Sequence, residues 1–123
     1  MSPRYSEPLF VISVAARLVE MHPQTLRKYE REGLIAPSRT SGNLRLYSDE
    51  DIERLRQVKY LVEQRGLNLA GVQLVLELTH ALRALRLNLR RAPSGKSWAA
   101  EIDDVLIKLG YVDQQHLRES SRQ

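Results

Sequence analysis

Gln24, Thr25, Arg27, Lys28 and Tyr29 place an amide, a hydroxyl, two cations and a phenol within six residues, and Arg39, Arg45 and Tyr47 follow within the next eighteen. An amide can bond an adenine edge, a guanidinium can bond guanine through two donors, and hydroxyl or ammonium groups can hold phosphate. The chemistry open to this set is recognition of a double-stranded nucleic acid. Gln24, Thr25 and Arg27 would read bases, Lys28 and Tyr29 would hold the backbone, and Arg39, Arg45 and Tyr47 would form a second contact. Taken singly, each group has a plainer reading. The first is then a solvated charged helix face and the second a basic surface loop. Either tyrosine is equally a packed ring with a wet tip. The elements that must carry these residues decide between the readings.

Leu9 to Ile12 is a short apolar run, and Ser13 is placed to cap a helix whose apolar positions are Val14, Ala15, Leu18 and Val19. Met21 and His22 form a turn, and Pro23 suits the first position of a second helix, where its missing N–H would be unpaired anyway. Leu26 with Tyr29 or Glu30 marks the inner side of that helix, and Gly33 is a natural stop. Two short helices across a tight turn make a helix-turn-helix. Leu34 and Ile35 can anchor the next segment. Pro37, Ser41, Gly42 and Asn43 are turn formers between two short extended pieces, the expected wing, on which Arg39 and Arg45 have no compensating acid nearby in sequence.

Ser48 and Asp51 approximate a capping box for a third helix running to about Arg65, with Ile52, Leu55, Val58 or Lys59, and Val62 inward and Gly66 at its end. Asn68 caps a fourth helix containing Val72, Val75, Leu76 and Leu78, and Gly71 lets it pass close to a neighbour. Leu78, Leu82, Leu85 and Leu89 then recur as a coiled-coil seam of about two heptads, flanked by a basic stripe of Arg83, Arg86 and Arg90. Pro93, Ser94 and Gly95 break the helix. Ser97 caps a last amphipathic helix with Trp98, Ile102, Val105, Leu106 and Leu109 on one face, stopped by Gly110. The expected fold is mainly α, a winged helix-turn-helix followed by a short coiled-coil dimerisation helix and a C-terminal amphipathic helix. Its boundaries are a flexible arm over 1–8, the winged domain over 9–78, the dimerisation helix over 79–92, and linker, helix and frayed end over 93–123.

The chain has 123 residues, 28% of them charged and 42% hydrophobic, which suits one small domain with an appendage and argues against disorder. No apolar run approaches a membrane span and the N-terminus lacks a signal-peptide pattern, so a cytoplasmic protein is expected. The net charge is +4, and it is unevenly placed. Between Met21 and Ser48 five basic residues face two acids, from Thr79 to Lys96 five face none, and from Ser97 onward three face five. With no Cys there is no disulfide, thiolate metal site or thiol switch. His22, His80 and His116 have no ligand-like spacing, and Asp103 and Asp104 point about 100° apart on a helix. No metal, cofactor or catalytic activity is expected.

Five pieces in order, Ile12-Ser-Val-Ala, Thr25-Leu-Arg-x-Tyr-Glu, Gly33-Leu-Ile-x-Pro, Arg45-x-Tyr47-Ser and Asp51-Ile followed by Leu55, resemble the DNA-binding domain of the MerR family of bacterial transcription regulators over about Leu9 to Leu78. Within it, His22-Pro-Gln-Thr-Leu-Arg, the Gly-x-x-Arg-x-Tyr wing and Asn68-Leu-Ala-Gly look like the HspR group of chaperone-gene repressors. The resemblance implies a homodimer on a double-stranded inverted-repeat operator, with recognition helices in successive major grooves and wings on the flanking DNA. It further implies an antiparallel helix joining the subunits. It carries recognition-helix roles onto Thr25, Arg27 and Tyr29, and wing roles onto Arg45 and Tyr47. Lys28 departs from the pattern, standing where many relatives begin a Tyr-Tyr pair.

HspR-like proteins are thought to repress together with the DnaK chaperone, which makes DnaK the implied co-repressor. Trp98, Ile102, Leu106 and Leu109 could then dock a partner, although packing of this helix on its own dimer is the expected outcome. Because the arginine stripe would repel its mate, residues 97–110 are expected to fold back on the dimer helix and bring acids to it. The functional expectation is a repressor of heat-shock and chaperone genes. Its alternatives are a ligand-responsive activator of the same family and, from a different class, a helical protein-interaction adaptor.

Overall fold

Proline, glycine and capping side chains set most of the helix ends. In the computed structural model, which describes residues 3–91, 98–109 and 111, a 3-10 turn (Pro3–Ser6) leads into β1 (Phe10–Val11), α1 (Ile12–Val19) and α2 (Pro23–Arg31). There follow β2 (Ser38–Arg39), β3 (Arg45–Tyr47), α3 (Asp49–Glu63), α4 (Leu69–Arg91) and α5 (Trp98–Lys108). The chain forms two compact units, 1–73 and 74–123, and α4 runs through the boundary. The first unit is a winged helix-turn-helix.

His22 precedes α2 and its Nδ1 accepts the Gln24 N–H at 3.0 Å, so this histidine is a cap as well as a turn residue. Pro23 opens the helix, and Gly33 beyond its end takes φ +78, where other residues are strained. At α3 the capping box is complete: the Ser48 oxygen accepts the Asp51 N–H at 3.0 Å and Asp51 accepts the Ser48 N–H at 2.9 Å. Asn68 caps α4 by accepting the Gly71 N–H at 2.9 Å. A Cβ on Gly71 would stand 3.3 Å from that oxygen, so this glycine makes room for the cap itself; the expected close approach of a neighbouring element is not what requires it.

Tertiary packing corrects the reading elsewhere. The residue before α1 is Val11, which offers no side-chain cap, and Ser13 lies inside the helix, exposed. Ala15, Ala16 and Val19 are buried, while Val14 and Leu18 are 36% and 42% exposed, so the inner face is turned from the expected one. In α3 the buried positions are Ile52, Leu55, Val58 and Leu61, with Leu61 in place of Val62. The wing also has a third strand. The antiparallel order β1-β3-β2 pairs Phe10 with Tyr47 and Arg39 with Arg45, and the Leu9 N–H donates to the Tyr47 carbonyl at 3.0 Å. Residues 3–6, expected as part of a free arm, lie on α3: Tyr5 hydrogen-bonds Glu53, and Arg4 approaches Asp49 at 3.9 Å.

The turn between α1 and α2 is held from α3. Lys59 Nζ donates to the carbonyls of Val19 at 3.3 Å and Glu20 at 3.1 Å, and Arg56 reaches the Leu18 carbonyl at 3.4 Å. Cations at a helix C-terminus meet its negative end and its unpaired carbonyls. Glu20 itself sits at φ 56, in the left-handed region. Since that conformation costs a side-chain-bearing residue roughly 1–2 kcal/mol, Glu20→Gly is expected to raise stability by up to about 1 kcal/mol after glycine's own entropy is counted. A rise in thermal midpoint with no change in the far-ultraviolet dichroism spectrum is the expected readout.

In the second unit, α4 leaves Leu82 and Leu89 exposed and Leu78 and Leu85 half-buried. On α5 Trp98 and Leu106 are half-buried and Ile102 and Leu109 exposed. Asn88 donates to Glu101 at 3.5 Å, which ties α5 to α4. The expected break at Pro93, Ser94 and Gly95, the Ser97 cap and the Gly110 stop lie outside the described residues. Among the described residues no helix is long and apolar enough to cross a membrane.

Candidate nucleic-acid interface

A helix with about 3.6 residues per turn puts positions three, four and seven apart on one face. On α2 that relation joins Gln24, Arg27, Lys28 and Arg31, while Leu26 and Tyr29 are buried on the other side. Gln24, Lys28 and Arg31 are exposed; Thr25 and Arg27 are half-buried at the edge of the same face. Lys28 has a long contact with Glu32 at 3.9 Å. Among the described residues Arg27 and Arg31 form no ion pair, so their donors remain available to a ligand.

The wing is built differently from the expectation. Arg39 and Arg45 share an acid after all, and it comes from α2: Glu30 accepts Arg45 Nε on one oxygen at 2.6 Å and Arg39 on the other at 2.8 Å. Arg39 also donates to the Asn43 carbonyl at 3.3 Å, holding the turn of the hairpin. Sequence distance concealed this acid, because Glu30 is nine and fifteen residues from its two partners. Burial alone would push the Glu30 carboxyl up, but the hydrogen bonds and charges of Arg45 and Arg39 outweigh it and hold the group below its ordinary range. The clamp therefore stabilises the fold fully above the ordinary glutamate pKa. That contribution is lost as pH falls through the lowered folded value.

Both tyrosines lie inside. Tyr47 is 0% exposed, and its hydroxyl is without a hydrogen-bond partner among the described residues. Burial pushes its pKa up, with Arg45, Glu30, Arg27 and Arg39 all near enough to act on it. This corrects the picture of an outward-pointing wing side chain: the ring is core, with its polar tip toward the cluster of charges between α2 and the wing. Tyr29 is likewise buried, and its hydroxyl is raised by burial and by the acids Glu32 and Glu63. Two carboxylates beside that hydroxyl make a poor seat for phosphate. An orphaned buried hydroxyl is destabilising, so Tyr47→Phe is expected to melt no lower than the parent and to bind DNA within about twofold of it. A tenfold loss of DNA affinity with unchanged stability would instead return Tyr47 to the interface.

Among the described residues no group of three or more His, Asp or Glu could hold a metal ion. What the site offers is an exposed polar and cationic helix face, with a two-arginine hairpin clamped beside it.

That arrangement defines a winged helix-turn-helix module of the regulator type. Residues 10–79 match the model of the MerR HTH family of regulatory proteins, and the chain belongs to that family. It is similar to the heat shock protein HspR of Streptomyces coelicolor, with 52% identity over 79 residues, covering 64% of this chain and 52% of that protein. It is also similar to the HTH-type transcriptional regulator GlnR of Bacillus anthracis, at 42% over 73 residues, covering 59% of this chain and 56% of the relative. The chain thus spans about half the length of these relatives. A MerR-family transcriptional regulator from Bacillus cereus shares the fold, with a TM-score of 0.51 and 15% identity over 81% of this chain and 96% of that one. The regulator PbrR691 from Ralstonia metallidurans CH34, solved in complex with lead(II), gives a TM-score of 0.51 and 25% identity over 93% of this chain and 81% of that one.

Proposed function

We propose that this chain is a homodimeric, sequence-specific DNA-binding repressor of heat-shock and chaperone genes, acting by occupying an inverted repeat at their promoters. The observation that carries the DNA-binding part is the outward face of α2, where Gln24, Arg27, Lys28 and Arg31 line up beside the wing and, among the described residues, Arg27 and Arg31 have no acid paired with them. The regulon is supported by the 52% identity with the Streptomyces heat shock protein over 79 residues.

In this reading α2 enters the major groove, Gln24, Thr25 and Arg27 face bases, and Lys28 and Arg31 neutralise phosphates. Arg39 and Arg45 meet the flanking backbone. The leucines of α4 join two copies so that two helices address two half-sites. Phosphate contacts give most of the affinity and a steep fall with salt; the few base contacts give the choice of sequence. A DnaK chaperone is the proposed co-repressor, with the apolar side of α5 (Trp98, Ile102, Leu106, Leu109) as its docking surface.

The test is to pass fragmented genomic DNA over the purified full chain, with and without DnaK, and to sequence what is retained. Enrichment of fragments upstream of chaperone genes, sharpened by DnaK, is expected. Enrichment at unrelated promoters would remove the heat-shock assignment, and no retention even at low salt would remove DNA binding.

A further inference from the structure

The two wing arginines would be expected to stand free if their only task were to attract phosphate. They do not. One carboxylate, from the middle of α2, takes both, and it does so with its two oxygens divided between them. The contact is partly enclosed: the side chains of Glu30, Arg39 and Arg45 are 23%, 34% and 26% exposed. Among the described residues the carboxylate of Glu32, half a turn further on, has only the long ion pair to Lys28 at 3.9 Å.

This geometry has two consequences for a DNA-binding surface. Glu30 receives Arg45 through Nε, so the terminal guanidinium nitrogens of Arg45 keep their donors for another acceptor and are aimed by the bond behind them. The two terminal nitrogens of Arg39 are held separately, one by Glu30 and one by the Asn43 carbonyl, so a polar link ties the hairpin to the recognition helix. At the same time the carboxylate cancels part of the wing's charge and competes with phosphate for the same cations. A free wing would grip any DNA backbone; a clamped one reaches phosphate only where α2 has seated correctly.

We infer that Glu30 is a specificity-determining positioning residue, which through Arg39 and Arg45 orients the wing on α2 and suppresses its grip on DNA of arbitrary sequence. The inference rests on the DNA-binding reading above. Glu30 needs no contact with DNA. Its effect runs through two arginines that hold or release the backbone.

The experiment compares the full-length parent with Glu30→Gln on a retained genomic fragment and on a scrambled duplex of equal length, each over a range of salt concentrations. For Glu30→Gln, binding to the scrambled duplex is expected to tighten and its salt slope to steepen by about two, one for each released cation. The ratio of specific to scrambled affinity is expected to fall by at least about tenfold. Glu32→Gln is the control for simple loss of a negative charge: it should shift both affinities together and leave the ratio unchanged. In an Arg39→Gln, Arg45→Gln background, adding Glu30→Gln should no longer alter the ratio.

If Glu30→Gln is unfolded at the assay temperature, Glu30→Asp is read in its place. It keeps the charge but is too short to span both arginines, and an intermediate loss of discrimination is expected. An unchanged ratio in whichever variant folds, or an equal fall in the ratio for Glu32→Gln, would overturn the role given to Glu30. Failure of the parent itself to retain any fragment would overturn the DNA-binding reading instead, so the two failures are separate.

Discussion

Leu82→Asp with Leu89→Asp is expected to convert the dimer to a monomer and to lower affinity for an inverted-repeat operator by roughly 10²- to 10⁴-fold, because the second half-site then ceases to be an intramolecular partner. The argument begins with α4, a helix from Leu69 to Arg91 whose second part displays Leu82 and Leu89 at 49% and 45% exposure. A leucine fully buried on association contributes about 1.5–3 kcal/mol, and Leu78, Leu82, Leu85 and Leu89 occur once in each copy. Carboxylates placed in such a seam would have to leave water as charges and would meet their own copies across it. Because both chosen positions are already open in the single chain, the winged domain should melt as before. Sedimentation should report a monomer, and gel retardation should report weak binding to one half-site. Dimerisation and operator affinity equal to the parent would place the subunit contact elsewhere.

The basic stripe of Arg83, Arg86 and Arg90 beside the leucines is expected to oppose association at low salt. Glu101, hydrogen-bonded to Asn88 between two of those arginines in sequence, brings an acidic residue of α5 to the same stretch of α4. Loss of α5 should therefore weaken the dimer as well as any partner surface.

Arg27→Ala is the second large effect: specific affinity at moderate salt should fall by about 1–3 kcal/mol, or roughly 5- to 150-fold, while binding to a scrambled duplex changes much less. Arg27 lies on the outward face of α2, half-buried, unpaired by any acid among the described residues, and next to Lys28 and Arg31 on the helix surface. A guanidinium held at the edge of a groove-sized helix has lost part of its freedom before DNA arrives, which favours a directional base contact over a diffuse phosphate one. Arg31, further out, should behave in the opposite way, with a similar loss on every sequence and a shallower salt slope. An Arg27→Ala protein that binds as the parent does would show that α2 does not read bases through this residue.

Local chemistry made much of this site legible in the sequence. Pro23, Gly33 and the Ser48–Asp51 box are decided within a few residues by dihedral preference and unpaired backbone groups, and each does what its type implies. The features that escaped depend on partners far along the chain. β1 exists because β3 is there to pair with it, and two residues carry no alternation to announce a strand. Leu61 replaces Val62 inside because both fit a 3.6-residue period and packing chooses between them. The Glu30 clamp joins residues that sequence spacing keeps apart. Its signal was an acid at a position of α2 that the apolar spacing also allowed as inner. Tyr47 illustrates the same limit: an amphipathic ring beside a small core can face either way, and the sheet register set it inward.

The central claim, that two copies of α2 and its wing read an inverted repeat, is tested most directly by a hydroxyl-radical footprint of the full chain on a retained genomic fragment. The account predicts two protected half-sites related by a dyad, with flanking wing protections, all lost together in Arg27→Ala at moderate salt. A single asymmetric patch, or protection that persists in Arg27→Ala, would contradict it.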